Sequence, residues 1–75
     1  MPFQIIFSSR LSALRLSKGL TQEALGLALT TTKQRVNNWE KGVSVPNLNA
    51  AIALADYFDV SLDYLVGRSD DPARR

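Results

Sequence analysis

The stretch from Thr21 to Gly42 leaves this chain few ways to fold. Thr21 is a good helix N-cap, and Glu23 in the turn after it suits the positive end of a helix dipole. Leu25 and Leu29 then fall one turn apart on an apolar stripe. Thr32 is a second N-cap, Val36 and Trp39 follow it three apart on one face, and Gly42 stands where a helix-ending glycine belongs. Two helices of about eight residues, joined by two or three residues, cannot run back along each other and must cross steeply. Gly26 supports the crossing. A glycine inside a helix costs roughly 1 kcal/mol against alanine, and a missing side chain at the crossing lets the two backbones approach.

The rest of the chain is also punctuated as helices. Phe7, Leu11 and Leu14 recur at i, i+4, i+7, with Ser8 or Ser9 as N-cap and Gly19 as stop. Pro46 bars helix at Val45, and Asn47 caps a fourth helix whose expected stripe is Leu48, Ala51, Ile52, Ala55 and Phe58. Asp59 breaks that pattern. Ser61 caps a short fifth helix, Leu62–Val66, that Gly67 ends. The pattern predicts an all-α domain of five short helices. It divides the chain into an apolar arm over 1–7, a helical domain over 8–67 and a tail over 68–75 that frays from Asp70 onward. Ile5, Ile6 and Phe7 are expected to cover the core beneath the first helix, with pairing as a strand across a dimer as the alternative. Tyr57 and Phe58 follow the core stripe and read as packing groups, and Leu27 as exposed.

Composition narrows the chemistry. With 75 residues there is room for one core. The absence of Cys and His excludes a disulfide, a Cys/His zinc site and Cys or His catalysis. No metal site and no cofactor are expected. PFQIIF at residues 2–7 is too short for a signal h-region, and nothing approaches the ~20 apolar residues of a membrane span, so a soluble cytoplasmic protein is expected. An enzyme would need a Ser/Lys or two-carboxylate site. Asp56, Asp59 and Asp63 have the spacing but straddle a helix end, and Asp70-Asp71 lacks a cation-binding loop, so no enzyme is expected. The net charge of +2 is uneven. Residues 1–45 carry six basic side chains against two acidic ones, and residues 46–75 three against five. A basic half and an acidic half imply one face for polyanions and another kept away from them.

The third helix decides what kind of polyanion. With Val36 and Trp39 turned inward, Lys33, Gln34, Asn37 and Asn38 share the outward face, flanked by Arg35 and Lys41. No acid occurs from residue 30 to 39. Amides and bases read major-groove edges: Gln and Asn pair with adenine N6/N7, while Lys and Arg reach guanine O6/N7 or phosphate. A merely solvated face would more usually carry Glu and Lys, which are better helix formers than Asn.

Thr21-Gln22-Glu23, Leu25, Val36, Asn38-Trp39-Glu40-Lys41-Gly42, Pro46 and the run Val60–Pro72 resemble the phage-repressor/Cro-type helix-turn-helix family over about residues 9–72. The resemblance implies a compact five-helix lambda-repressor-like domain, with helices 2 and 3 as the helix-turn-helix, that binds a double-stranded DNA operator as a two-fold dimer. By position, Lys33, Gln34 and Asn38 match base-contacting residues, with Thr32, Arg35, Asn37 and Lys41 at the DNA backbone or its flanks. Gln22 falls where the family touches a phosphate and braces the recognition helix. Arg15 and Glu40 match a structural ion pair, and Leu62, Tyr64 and Val66 a dimer surface.

The chain departs from the family pattern at the turn. Thr30 stands for the usual glycine and Thr31 for the usual apolar residue. A β-branched residue at positive φ is strained, so helix 2 is expected to run longer or the turn to change its path. The functional reading is a sequence-specific transcriptional regulator, repressing by occlusion of a palindromic operator. The alternative is an antitoxin-like or other protein-interaction module on the same scaffold, with a protein partner meeting the apolar arm.

Overall fold

A computed structural model describes residues 3–74, with side chains from Ile5 onward. Met1 and Pro2 of the expected arm, and Arg75 of the expected tail, lie outside the described residues. Five helices follow in order: α1 (Phe3–Ser17), α2 (Gln22–Ala28), α3 (Lys33–Glu40), α4 (Leu48–Phe58) and α5 (Leu62–Val66). No strand occurs among the described residues.

Four of the helices begin on a side-chain cap. Thr21 Oγ1 accepts from the Ala24 N–H at 3.0 Å, Thr32 Oγ1 from Arg35 at 3.1 Å, Asn47 Oδ1 from Ala50 at 2.8 Å and Ser61 Oγ from Tyr64 at 3.0 Å. Each such cap contributes about 1 kcal/mol. The first helix corrects the sequence reading. It starts at Phe3, not behind a Ser8 or Ser9 cap, and Ser8 Oγ donates back to the Ile5 carbonyl at 3.0 Å. Nothing in FQIIF breaks a helix, so the backbone continues its own ladder through Ser8 instead of stopping to be capped. The arm residues from Phe3 on are therefore helical, which disposes of the strand alternative.

One device ends all five helices. In each, the residue at the cap (α4 and α5) or just after it (α1, α2 and α3) takes a left-handed conformation, and two backbone bonds close the last turn. At the end of α2, Thr31 N–H donates to Gly26 O at 2.7 Å and Thr30 N–H to Leu27 O at 3.2 Å. At the end of α3, Val43 N–H donates to Asn38 O at 3.0 Å and Gly42 N–H to Trp39 O at 3.3 Å. The left-handed position is glycine after α1, α3 and α5, but Asp59 after α4 and Thr30 after α2, with φ of 55° and 58°. The expected escape of Thr30 from positive φ does not occur. The Schellman bonds, which position α3 two residues later, hold it there.

Phe7 and Leu11 of α1, Leu25 of α2, Val36 and Trp39 of α3, Leu54, Ala55 and Phe58 of α4, Val60, and Leu65 of α5 form the core. The α4 stripe is rotated from the expected one. Ala51, Leu54, Ala55 and Phe58 face inward, while Leu48 and Ile52 are 67% and 43% exposed. Positions 51, 54, 55 and 58 span a narrower arc than the set beginning at Leu48, and that arc meets α5. Tyr57 reaches the surface, with its ring edge-on to Phe58 at 5.2 Å between centroids. Leu27 is exposed, as expected.

The segment after α5 is not frayed. Ser61 N–H donates to Pro72 O at 3.0 Å, Arg74 pairs with Asp56 at 2.6 Å, and Arg10 Nη2 pairs with Asp70 at 2.9 Å. Arg10 Nη1 also donates to the carbonyls of Tyr64 and of Ser69, and its guanidinium lies 4.1 Å from the centre of the Tyr64 ring. These partners come from distant parts of the chain, and local composition carries no trace of them. At Gly67 an added Cβ would fall 2.8 Å from Ile6 Cγ2, so the start of α1 is seated on the end of α5.

Candidate nucleic-acid interface

Two devices set the position of α3. The first is backbone contact at Gly26, where a Cβ would lie 3.0 Å from the Thr32 carbonyl carbon and 3.1 Å from the Lys33 nitrogen. Helix α2 thus presses directly on the first residue of α3, as its buried glycine suggested. The second is a half-buried polar network at the other end of α3. Arg15 Nε and Nη2 grip the Glu40 carboxylate at 2.6 and 3.0 Å, and Arg15 Nη1 donates to Leu20 O at 2.7 Å. Both side chains are largely removed from water, at 13% and 7% exposure. The hydrogen bond to Glu40 raises the Arg15 pKa above the ordinary arginine value, and burial opposes it. Gln22 Nε2 joins the network, donating to Glu40 Oε1 at 3.2 Å and Asn37 Oδ1 at 3.3 Å.

Between these anchors α3 turns Val36 and Trp39 inward and leaves Lys33, Gln34 and Arg35 exposed, with Asn37 and Asn38 half-buried at the edges of the face. Gln34 Nε2 donates to Asn38 Oδ1 at 3.1 Å, a pairing of neighbours one turn apart. Thr32 is occupied as the N-cap, and Lys41 is exposed at the C-cap. Arg35 leans toward α4 and lines a groove with Trp39, Ser44 and Asn47.

The structure also redistributes the charge. Of the six basic side chains in the first 45 residues, Arg10 and Arg15 are spent on internal pairs, and Lys18 lies 5.7 Å from the centre of the Tyr57 ring. The three that remain are Lys33, Arg35 and Lys41, all on α3 or its cap, and none forms an ion pair among the described residues. An unneutralised basic face carrying side-chain amides is chemically matched to the phosphates and base edges of duplex DNA.

Residues 11–65 match the helix-turn-helix family. The chain belongs to this family. It is a phage-repressor/Cro-type member, and the relatives that it matches are named HTH-type transcriptional regulators. Over 60 residues it is 33% identical to the HTH-type transcriptional activator BcrR of Enterococcus faecalis, a match covering 80% of this chain and 29% of that protein. Over 67 residues it is 34% identical to the uncharacterized HTH-type transcriptional regulator YobD of Bacillus subtilis (strain 168), covering 89% of this chain and 60% of that protein. The chain thus spans less than two thirds of the length of either relative. No solved structure matches it.

In this helix-turn-helix protein, α2 and α3 are the helix-turn-helix pair. Leu62, Tyr64 and Val66 are half-buried on α5. Leu62 and Tyr64 pack against the domain's own core, and Arg10 stacks on the Tyr64 ring. The residue that sequence reasoning missed is Arg10, counted there only among the six basic side chains of residues 1–45 and found here holding the segment after α5. Among the described residues no helix is long and apolar enough to cross a membrane, and no His/Cys/Asp/Glu cluster could hold a metal ion.

Proposed function

We propose that the chain is a sequence-specific double-stranded DNA-binding transcriptional regulator that lays α3 in the major groove. Lys33, Gln34 and Asn38 read base edges, and Thr32, Arg35, Asn37 and Lys41 meet the backbone or its flanks. The observation that carries this reading is the α3 face itself, where exposed Lys33, Gln34 and Arg35 have no acidic neighbour and the helix is fixed at both ends. A two-fold dimer through the α5 surface would span half-sites about 34 Å apart on a palindromic operator. Repression is favoured because occlusion needs only occupancy, although the Enterococcus faecalis relative is named an activator. The protein acts in the cytoplasm of a prokaryotic or phage-infected cell.

A specific observation favours a second, protein-interaction reading of the antitoxin-like kind. Val43, Val45, Leu48 and Ile52 leave an apolar surface exposed along the α3–α4 loop and the start of α4.

The test is selection of tight binders from a random duplex library, followed by salt titration. An enriched palindrome is expected. Gln34→Ala should relax preference at one base position, whereas Lys41→Ala should weaken all sequences alike and reduce the salt slope by about 1. Binding without any enriched sequence would overturn the specific-regulator reading and move the weight to the apolar surface.

A further inference from the structure

We propose that Asn37, and not Gln22, supplies the side-chain donor to the DNA backbone at the α2 edge of the interface. Gln22 acts as a positioning residue that fixes the polarity of the Asn37 amide. The proposal rests on the DNA-binding reading and assigns the chemistry of one of its contacts.

The chain of donors starts at Arg15. Its guanidinium is donor-only and holds both oxygens of Glu40. An ionised carboxylate can only accept, so the Gln22 atom 3.2 Å from Glu40 Oε1 must be the amide nitrogen. That orientation admits no flip, because the reverse would set a carbonyl oxygen against a carboxylate. The same nitrogen lies 3.3 Å from Asn37, so the Asn37 atom facing it must be the acceptor Oδ1. A primary amide has two N–H groups. Both Gln22 hydrogens are therefore spent inside the protein, one on Glu40 and one on Asn37.

Gln22 is left with only its oxygen to offer, and phosphate oxygens cannot bond to an oxygen. The donor pair that remains at this edge belongs to Asn37. Its Nδ2 has no protein partner among the described residues, and since no unpartnered side-chain nitrogen or oxygen is buried, it faces solvent. The chain Arg15–Glu40–Gln22–Asn37 thus carries donor polarity from a half-buried guanidinium to the surface of α3. With Oδ1 turned toward Gln22, Asn37 presents its Nδ2 donors outward, and these suit phosphate oxygens.

The experiment is a double-mutant cycle on the selected operator with Gln22→Met, which keeps side-chain length but removes both polar groups, and Asn37→Ala. Asn37→Ala is expected to weaken binding about tenfold, alike across operator variants. Gln22→Met should weaken it less, and the double variant should bind no worse than Asn37→Ala alone, because Arg15 still holds both oxygens of Glu40 and Gln22 reaches DNA only through Asn37. Losses that add would mean that Gln22 affects binding by a route other than Asn37 and would overturn the relay.

Amide NMR of the unmodified chain provides a readout that does not depend on how the variants fold. In the free protein, the Gln22 side-chain NH2 should exchange more slowly than that of Asn37. On DNA addition, the Asn37 NH2 should become protected. Protection appearing at Gln22 instead would overturn the proposal. If the unmodified chain binds no duplex, the DNA reading itself has failed, and that is seen before any variant is made.

Discussion

Thr30→Gly should stabilise this domain. Thr30 sits at φ 58° with its side chain exposed and making no hydrogen bond among the described residues. A residue with a Cβ pays roughly 1–2 kcal/mol in the left-handed region, and β-branching places Thr at the upper end. Glycine removes that strain but gives the unfolded chain more freedom, which returns about 0.5–1 kcal/mol. The net gain is therefore about 1 kcal/mol, equivalent in a domain of this size to a rise of roughly 4–8 °C in Tm. Trp39, the single tryptophan and 3% exposed, supplies a fluorescence signal for urea unfolding. Thr30→Ala should recover much less, because it keeps the Cβ. Asp59→Gly should gain less than Thr30→Gly, since Asp tolerates the left-handed region better. Thr30→Gly as stable as the parent or less stable, at an unchanged m value, would refute the reasoning. The Schellman turn would then not be the element that imposes the strain.

Further expectations concern the two anchors of α3. Glu40→Ala leaves a half-buried Arg15 facing no carboxylate and should cost about 3–5 kcal/mol, enough to unfold much of a small domain at ambient temperature. A cost below 1 kcal/mol in urea titration would show the pair to be screened like a surface bridge. Because hydrogen bonding raises the Arg15 pKa in the folded state, its contribution is complete below the ordinary arginine range and is lost only as pH rises through the raised value. With no His or Cys in the chain, the stability difference between the parent and Arg15→Met should be flat between about pH 6 and pH 9. A slope across that window in paired urea curves would contradict this. Gly26→Ala gains helix propensity but drives a Cβ to 3.0 Å from the Thr32 backbone. Circular dichroism should show helices retained, while operator affinity falls as α3 is pushed outward; unchanged affinity would mean that α3 gives way without changing its angle.

Much of the fold was legible because helix ends in this chain are local chemistry. Thr21, Thr32, Asn47 and Ser61 cap with their own side chains, and Gly42 and Gly67 stop helices through their own backbone freedom. The steep crossing of α2 and α3 followed from the short connection and from Gly26, which needs only chain geometry. The apolar arm was misread because a serine within helical reach looks like a cap until the residues before it are seen to continue the ladder.

What tertiary structure alone decided were the matters that depend on distant partners. The turn at Thr30 keeps its strain because two backbone bonds and the packing of α3 outweigh a local preference of about 1–2 kcal/mol. Arg10 is taken up inside the fold because Tyr64, Ser69 and Asp70, far along the chain, come within its reach. Lys33, Gln34 and Asn38 could be placed on one face from spacing alone, since the helical repeat is a property of the sequence. The direction in which Gln22 and Asn37 point their amides could not. Those hydrogens are assigned by Arg15 and Glu40, 25 residues apart in the chain and within 2.6 Å in space.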